Sequence, residues 1–419
     1  MDFEYSDRVN ELRRQVEDFL DRYMLPYNAE WQRETMAGRF PMHIMDPLKQ
    51  IARSEGLWNL FLPGLRADEP GTRLTNLEYA PLAEIMGRLP WASEAFNCNA
   101  PDSGNIELLH LFTTPEQRAR WLNPLLEGEI RSCFAMSEPD VASSDATNLQ
   151  TSIRRVGDEY VINGRKWMIT GAAHPLCKFM ILMGRSSDDD ALPRHGQHSM
   201  IIVPMDAPGV KVVRNIPVLH HLSIDGQCEI VLRDCRVPVG NMLGGEGQGF
   251  ALAQARLGPG RIHHCMRTIG QCELALELMS ERALERRAFG KAISTYGNVQ
   301  DWIAQSRIDI DMARLLVLRA AAKIDAHGNK AAKVDVAAIK VVAAQLQTRV
   351  LDRAIQIFGA MGLSANTPLA FFYTWGRALR IFDGPDEVHL RTIAQSELAK
   401  AKDRGGSNSR YFTLPEDLG

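Results

Sequence analysis

The 419-residue chain lacks a disulfide framework, a charge bias and a long apolar run, and each lack removes a class of function. Its seven cysteines, Cys98, Cys133, Cys177, Cys228, Cys235, Cys265 and Cys272, are odd in number, scattered and without C-x-x-C spacing, which argues for reduced, structural thiols rather than bridges or a zinc ribbon. A formal net charge of −3 gives no overall pull toward nucleic acid or an anionic bilayer. No segment is apolar over a bilayer's thickness, and Met1 to Tyr5 shows neither the basic nor the apolar part of a secretion signal. A cytoplasmic location, a small-molecule partner and no nucleic acid or membrane partner are therefore expected. His263, His264 and Cys265 are adjacent, but neighbours on a helix point apart, so the trio reads as packing or a site wall and no metal is expected.

What is present is an ordinary folded composition, 45% hydrophobic and 24% charged, over a length that suits two or three domains. Val9, Leu12, Val16, Phe19, Leu20 and Tyr23 recur at helical spacing behind the capping residue Ser6. Further helices are predicted over Met45 to Glu55, Asn76 to Arg88 and Pro115 to Leu126. From Cys133 to Pro238 the texture changes to short β-branched runs: Tyr160 to Ile162 before an Asn163-Gly164 turn, then Met200 to Val203, Val210 to Val213 and Cys228 to Val237. Beyond Gly249 helical spacing returns, with long helices expected over Asn298 to Gly328 and Ala331 to Phe358, antiparallel neighbours in a bundle. The expected domains are 1–130, helical; 131–242, β; 243–404, a helical bundle; and 405–419, a surface tail.

Gly244-Gly245-Glu246-Gly247-Gln248-Gly249 matches neither a GxGxxG spacing nor a P-loop, and no βαβ unit surrounds it. It reads as a turn into the bundle. The segment Cys133 to Asp145, with Ser137-Glu138-Pro139 followed by a loop of small residues ending Ser144-Asp145, resembles the signature of the acyl-CoA dehydrogenase family, with one residue more between Glu138 and Asp145 than the common pattern. Lys166-Trp167-Met168-Ile169-Thr170 is similar to the family's Lys-x-Trp-Ile-Thr strand. Arg286-Arg287-Ala288-Phe289-Gly290 is similar to its Arg-x-x-Phe-Gly element, although Gly297 stands where the family often has Gln. Gln356-Ile357-Phe358-Gly359-Ala360 resembles its Gln-x-x-Gly-Gly turn, with Ala360 for the second glycine.

The resemblance implies an α+β, mainly α fold: an N-terminal helical domain, a middle β-barrel-like domain and a C-terminal four-helix bundle, assembled as a homodimer or homotetramer. It implies FAD as cofactor, with Phe134, Met136, Ser137, Trp167, Ile169 and Thr170 along the flavin. Ser144 would lie near the pyrophosphate and the CoA entrance, and Arg286, Phe289, Gln356, Gly359, Ala360 and Glu387 would contact the cofactor, in part from a neighbouring subunit. A Trp and a Thr in a strand serve equally as core packing, and the Gly359 turn equally as a helix C-cap.

In Asp383-Gly384-Pro385-Asp386-Glu387-Val388-His389, Asp383 occupies the place where most family members have the glutamate that removes the substrate's α proton. This string, with Ser137 to Asn148 and Gly258 to Arg267, resembles the dehydrogenase part of animal family members ten and eleven. On that likeness Asp383 is the base, and Ser144, Gly258, Arg261 and Gly384 contact the acyl-CoA. A helix cap is the competing role for Asp383, and an exposed salt bridge for Arg261. A carboxylate in an apolar flavin pocket is expected to have a raised pKa. His263 and His264 point to a polar pocket for a hydroxylated or otherwise polar acyl chain. The implied activity is α,β-dehydrogenation of an acyl-CoA in fatty acid β-oxidation, with electron-transfer flavoprotein as a candidate acceptor. The alternatives are a flavin oxidase on the same fold and a non-catalytic flavin-containing binding protein.

Overall fold

The computed structural model describes residues 4–404; the expected tail, 405–419, lies outside them, as do the surroundings of 257–259 within their helix. The N-terminal part is helical, with α1 (Asp7–Phe19), α2 (Asn28–Met36), α3 (Met42–Ser54), α4 (Asn76–Gly87), α5 (Ala92–Ala95), α6 (Asp102–Phe112), α7 (Pro115–Gln117) and α8 (Asn123–Leu126). Ser6 caps α1 as expected, its hydroxyl accepting from Val9 N at 3.3 Å. Thr75 and Glu78 close a capping box on α4. The helix expected over Pro115 to Leu126 is present, and a five-residue π turn, Arg118–Leu122, lies inside it between α7 and α8. Three helices, α2, α5 and α6, fall outside the predicted ranges. Residues 102–109 of α6 are all buried, so no polar face marks it as amphipathic.

The middle part is an eight-stranded sheet of β1 (Arg131–Ala135), β2 (Ser152–Val156), β3 (Glu159–Thr170), β4 (Cys177–Arg185), β5 (His198–Pro204), β6 (Val210–Asn215), β7 (Gln227–Pro238) and β8 (Met242–Leu243). Its order is β6-β7-β3-β2-β4-β5-β8, with β1 parallel to β4. The sheet separates two cores by strand periodicity: Phe179, Ile181 and Met183 of β4 face the helices, while Met180 and Leu182 face the inner β cluster. The turn expected at Asn163-Gly164 is absent. β3 runs straight through it with a register shift between Ile162 and Gly164, because a side chain at Gly164 would collide with Thr151. This glycine serves close packing rather than a turn.

The C-terminal part opens at Gly249, after the glycine-rich turn. Helix α9 (Gly249–Glu285) leads through the hairpin β9 (Arg287–Ala288) and β10 (Lys291–Ala292) to α10 (Gly297–Ala331), α11 (Lys333–Phe358), α12 (Leu369–Leu379) and α13 (Asp386–Asp403). The backbone of α10 leaves helical geometry at Gly328, φ +77°, the expected break before α11. Helix α9 lies backbone to backbone against α4: a Cβ on Gly87 would collide with Arg267 and one on Gly270 with Glu84. This contact fixes the height of α9, and with it the positions of Arg261 and His264. Among the described residues no helix is long and apolar enough to cross a membrane, and no cluster suits a metal ion.

Candidate active site

Three elements converge on the turn between α12 and α13. Asp383 sits there at φ +53° and Gly384 at φ +98°, in the left-handed region that few side chains other than Asp and Asn enter readily. The turn is clamped through its carbonyls. Arg261 of α9 donates Nε and Nη2 to the Asp383 carbonyl at 3.2 and 3.1 Å, and His389 Nε2 lies 3.2 Å from the same oxygen. Lys340 of α11, fully buried, donates to the carbonyls of Leu379 and Gly384. The Asp383 carboxylate is thereby left free of backbone duty, so it does not act as a helix cap, and Arg261 is no exposed salt bridge.

The carboxylate meets one side chain closely, His264, whose Nε2 lies 3.0 Å from Oδ2. Burial by itself would raise the Asp383 pKa, but the His264 hydrogen bond and the positive field of Arg256 and Arg261 outweigh it and hold the carboxyl well below the usual range. The expectation of a raised value is therefore corrected: the His264 hydrogen bond, with the two guanidinium groups behind it, outweighs burial. His389 is pushed down to about 4, first by burial and then by Arg261 and Lys340, so it is neutral at physiological pH.

The histidine pair divides. His263 is buried with both ring nitrogens unpartnered, edge-on to Tyr79 at 4.9 Å and Phe61 at 6.0 Å. It is core packing, and the polar pocket drawn from both histidines loses this member. Cys265 turns away to the Ile339 carbonyl, so the trio does not converge on a metal.

Arg256 joins this cluster to the sheet. Its guanidinium lies 4.0 Å from the centroid of Phe134, and its Nε donates to Asn105 Oδ1 at 2.9 Å. Asn105 in turn donates to Ser132 of β1 at 2.9 Å, while Asp102 accepts from the Ser132 amide at 2.7 Å. Helix α6 thus pins the start of β1 beside α9. At the other end of β1, Lys166 is buried and holds Met136 O, Glu138 and Met183 O. Burial lowers its pKa to about 8, with Glu138 acting in the opposite direction. Glu138 also receives the amides of Gln150 and Thr151, so the small-residue loop closes on one carboxylate. The Trp167 amide donates to Ser137 O at 3.1 Å, bringing the two strand motifs edge to edge.

Phe134, Met136 and Ser137 are half-buried here, and the register shift between Lys166 and Ile169 leaves Trp167 and Met168 each 36% exposed. Apolar faces with polar atoms at their rim fit a flat, heteroatom-edged ring such as a flavin. Ile169 is buried in the β core, so only its backbone is offered, and the Thr170 hydroxyl is already shared with Gln227 at 2.9 Å. Ser144 and Glu387 are exposed. Gly258 falls within 257–259, outside the described surroundings.

A second group gathers at the far end of α9. Arg286 is the C-cap of α9 and the 98% exposed Phe289 lies in the β9–β10 turn, with Gln356, Gly359 and Ala360 at the end of α11. Arg282 over the Phe358 ring at 5.6 Å joins these ends. Arg261 and Arg286 are both tied to α9, and at the helical rise their separation is roughly 37 Å. The two groups therefore do not meet on one ring within one chain. Sequence reasoning overlooked Arg256 and Lys340. The available signal was a lone Lys340 inside the apolar run Val336 to Ala344, where an unpaired charge is costly and needs a buried task.

Comparisons with known proteins place nearly the whole described chain in one family. Residues 6–129, 133–235 and 247–398 match the N-terminal, middle and C-terminal domains of acyl-CoA dehydrogenases. The chain is 53% identical over 407 residues to "Probable acyl-CoA dehydrogenase FadE2" of Mycobacterium tuberculosis, covering 96% of this chain and 98% of that one. It is 51% identical to acyl-CoA dehydrogenase family member 10 of Mus musculus over 94% of its own length, but spans only 37% of that relative. A solved structure from Mycobacterium abscessus, provisionally named an acyl-CoA dehydrogenase, superposes with a TM-score of 0.89 at 46% identity, covering 95% of this chain and all of that one.

Proposed function

The chain belongs to the acyl-CoA dehydrogenase family, and from that premise we propose that it removes hydrogens from the α and β carbons of an acyl-CoA thioester, with Asp383 as the base for the α proton. The observation that carries this reading is the Asp383 turn. A carboxylate is held at φ +53° by three cationic or imidazole side chains that bind backbone carbonyls and leave its Oδ1 open. An aspartate reaches less far than the glutamate most relatives carry, and the clamped turn compensates by fixing where the shorter side chain starts.

FAD is the cofactor. Phe134, Met136, Ser137, Trp167, the Ile169 backbone and Thr170 would hold its ring system, while Ser144, Glu387, Arg286, Phe289, Gln356, Gly359 and Ala360 would serve its phosphates and adenosine, the last five of these from a neighbouring copy. When bound, it supplies the acceptor for the hydride that leaves the β carbon. The low Asp383 pKa keeps the carboxylate ionised at neutral pH and so ready to accept. A thioester seated over Oδ1 excludes water and raises the basicity of the group at the moment it is needed. Arg256 and Arg261 keep the protonated and ionised forms in one place by fixing α9 against β1 and the turn. Electron-transfer flavoprotein is the proposed acceptor in turn, and a homodimer or homotetramer the proposed assembly.

The test is product analysis. Purified protein incubated with saturated acyl-CoAs and an artificial electron acceptor should form the 2-enoyl-CoA, and Asp383→Asn should form none. Flavin-loaded protein that converts no thioester would refute the reading.

A further inference from the structure

We propose that His264 is a positioning residue, held in one tautomer by Arg267, that fixes the orientation of the Asp383 carboxylate. The inference rests on the reading of Asp383 as the base. His264 and Arg267 are three residues apart on α9 and share a face. Arg267 Nη2 lies 3.0 Å from His264 Nδ1. A guanidinium only donates, so Nδ1 must accept, and a neutral imidazole then carries its proton on Nε2. That nitrogen is the one 3.0 Å from Asp383 Oδ2.

The alternative states are excluded by the surroundings. A proton on Nδ1 would face the Arg267 guanidinium, and burial, with Arg267 and Lys340 nearby, lowers the His264 pKa despite the opposing effect of Asp383. The ring is also held edge-on to Phe382, 5.8 Å between centroids. Arg261, Lys340 and His389 secure only the backbone of the Asp383 turn, which leaves side-chain rotation of Asp383 unrestrained without His264. The remaining charged groups facing the pair are Arg256 on α9, which bonds Asn105, and Asp386 on α13, which bonds Arg380. Neither replaces the imidazole. Oδ2 is thus occupied and Oδ1 is presented to the substrate.

The experiment compares flavin-loaded wild type, Asp383→Asn, His264→Leu and His264→Gln by anaerobic mixing with the straight-chain acyl-CoA that bleaches wild type fastest, across pH. Gln places an amide donor near the position of Nε2, whereas Leu fills the space without one. His264→Leu should lower the limiting bleaching rate roughly 10- to 100-fold with little change in acyl-CoA affinity. It should also move the acid limb of the rate profile to higher pH, because burial then acts on Asp383 without that hydrogen bond. His264→Gln should restore most of the rate.

Wild-type rate and acid limb in His264→Leu, alongside an inert Asp383→Asn, would overturn the positioning role. An Asp383→Asn enzyme that bleaches like wild type would instead overturn the base assignment. Ring-nitrogen spectra of labelled histidine, which need neither substrate nor turnover, give a separate readout. The signal lost in His264→Gln should be an Nε2–H imidazole that does not titrate through neutral pH, and an Nδ1–H or titrating signal contradicts the proposal.

Discussion

Gly384→Ala perturbs the base without touching it. The residue has φ +98°, and a Cβ there would lie 2.7 Å from His389 Nε2 and 3.2 Å from its Cε1. An L side chain in left-handed geometry costs about 1–2 kcal/mol. Displacing His389 forfeits its bond to the Asp383 carbonyl, worth about 1 kcal/mol net. If the turn absorbs the sum, about 2–3 kcal/mol, as displacement of Asp383, the limiting rate of flavin reduction should fall roughly 30- to 150-fold at tenfold per 1.4 kcal/mol. Flavin content should stay full. The control is Gly157→Ala in the β2–β3 turn, which has φ +64° and open space around its Cβ: it carries the backbone cost alone and should leave the rate unchanged. In a His389→Ala background the Gly384→Ala effect should shrink, since the clash is gone. Stopped-flow bleaching together with urea unfolding measures both quantities. A Gly384→Ala rate within about twofold of wild type, with a stability loss like that of Gly157→Ala, would refute the argument that His389 and Gly384 set the Asp383 position.

Other expectations follow from groups around this turn. Lys340→Met leaves the Leu379 and Gly384 carbonyls without their buried donor, so urea unfolding should show a loss of about 2–4 kcal/mol together with slower flavin reduction. Glu107 is buried with both oxygens unpartnered, and burial raises its pKa from 4.5 to about 8, against an opposing pull from Arg256. With the folded value raised, its share of stability is fullest below pH 4.5 and is lost as pH rises toward 8, so Glu107→Gln should gain up to about 3 kcal/mol at pH 7 and flatten that slope in thermal melts. His389 behaves in the opposite sense: its folded pKa is depressed from 6.5 to about 4, so stability falls as pH drops below 6.5, and His389→Gln should be less acid-sensitive in the same melts. Gly270→Ala drives a methyl into Glu84, and should lower stability by about 1–3 kcal/mol or more by separating α4 from α9. Wild-type stability there would contradict the close helix contact.

Helices with one apolar stripe and strands with branched runs were legible because their periods report burial on one side. Helix α6 was not, because residues buried all round carry no period. Asn163-Gly164 misled for a related reason: glycine serves both tight turns and close backbone approach, and only Thr151, distant in sequence, decides between them. At the site, the motif residues Phe134, Ser137, Trp167, Arg261 and Asp383 were visible as resemblance, and the structure brings Arg261 to Asp383 and Trp167 to Ser137. The sign of the Asp383 shift was not visible. It depends on Arg256 and His264 arriving from α9, which adjacency in sequence does not reveal. The same holds for His263 and His264, neighbours in the chain with opposite surroundings.

The measurement that bears most directly on the central claim is an anaerobic visible spectrum of the flavin-loaded protein before and after a panel of acyl-CoAs, with Asp383→Asn beside it. A thioester should bleach the wild-type flavin and leave the variant yellow. A bleached variant would contradict Asp383 as the base, and a loaded wild type that no thioester reduces would contradict acyl-CoA dehydrogenation itself.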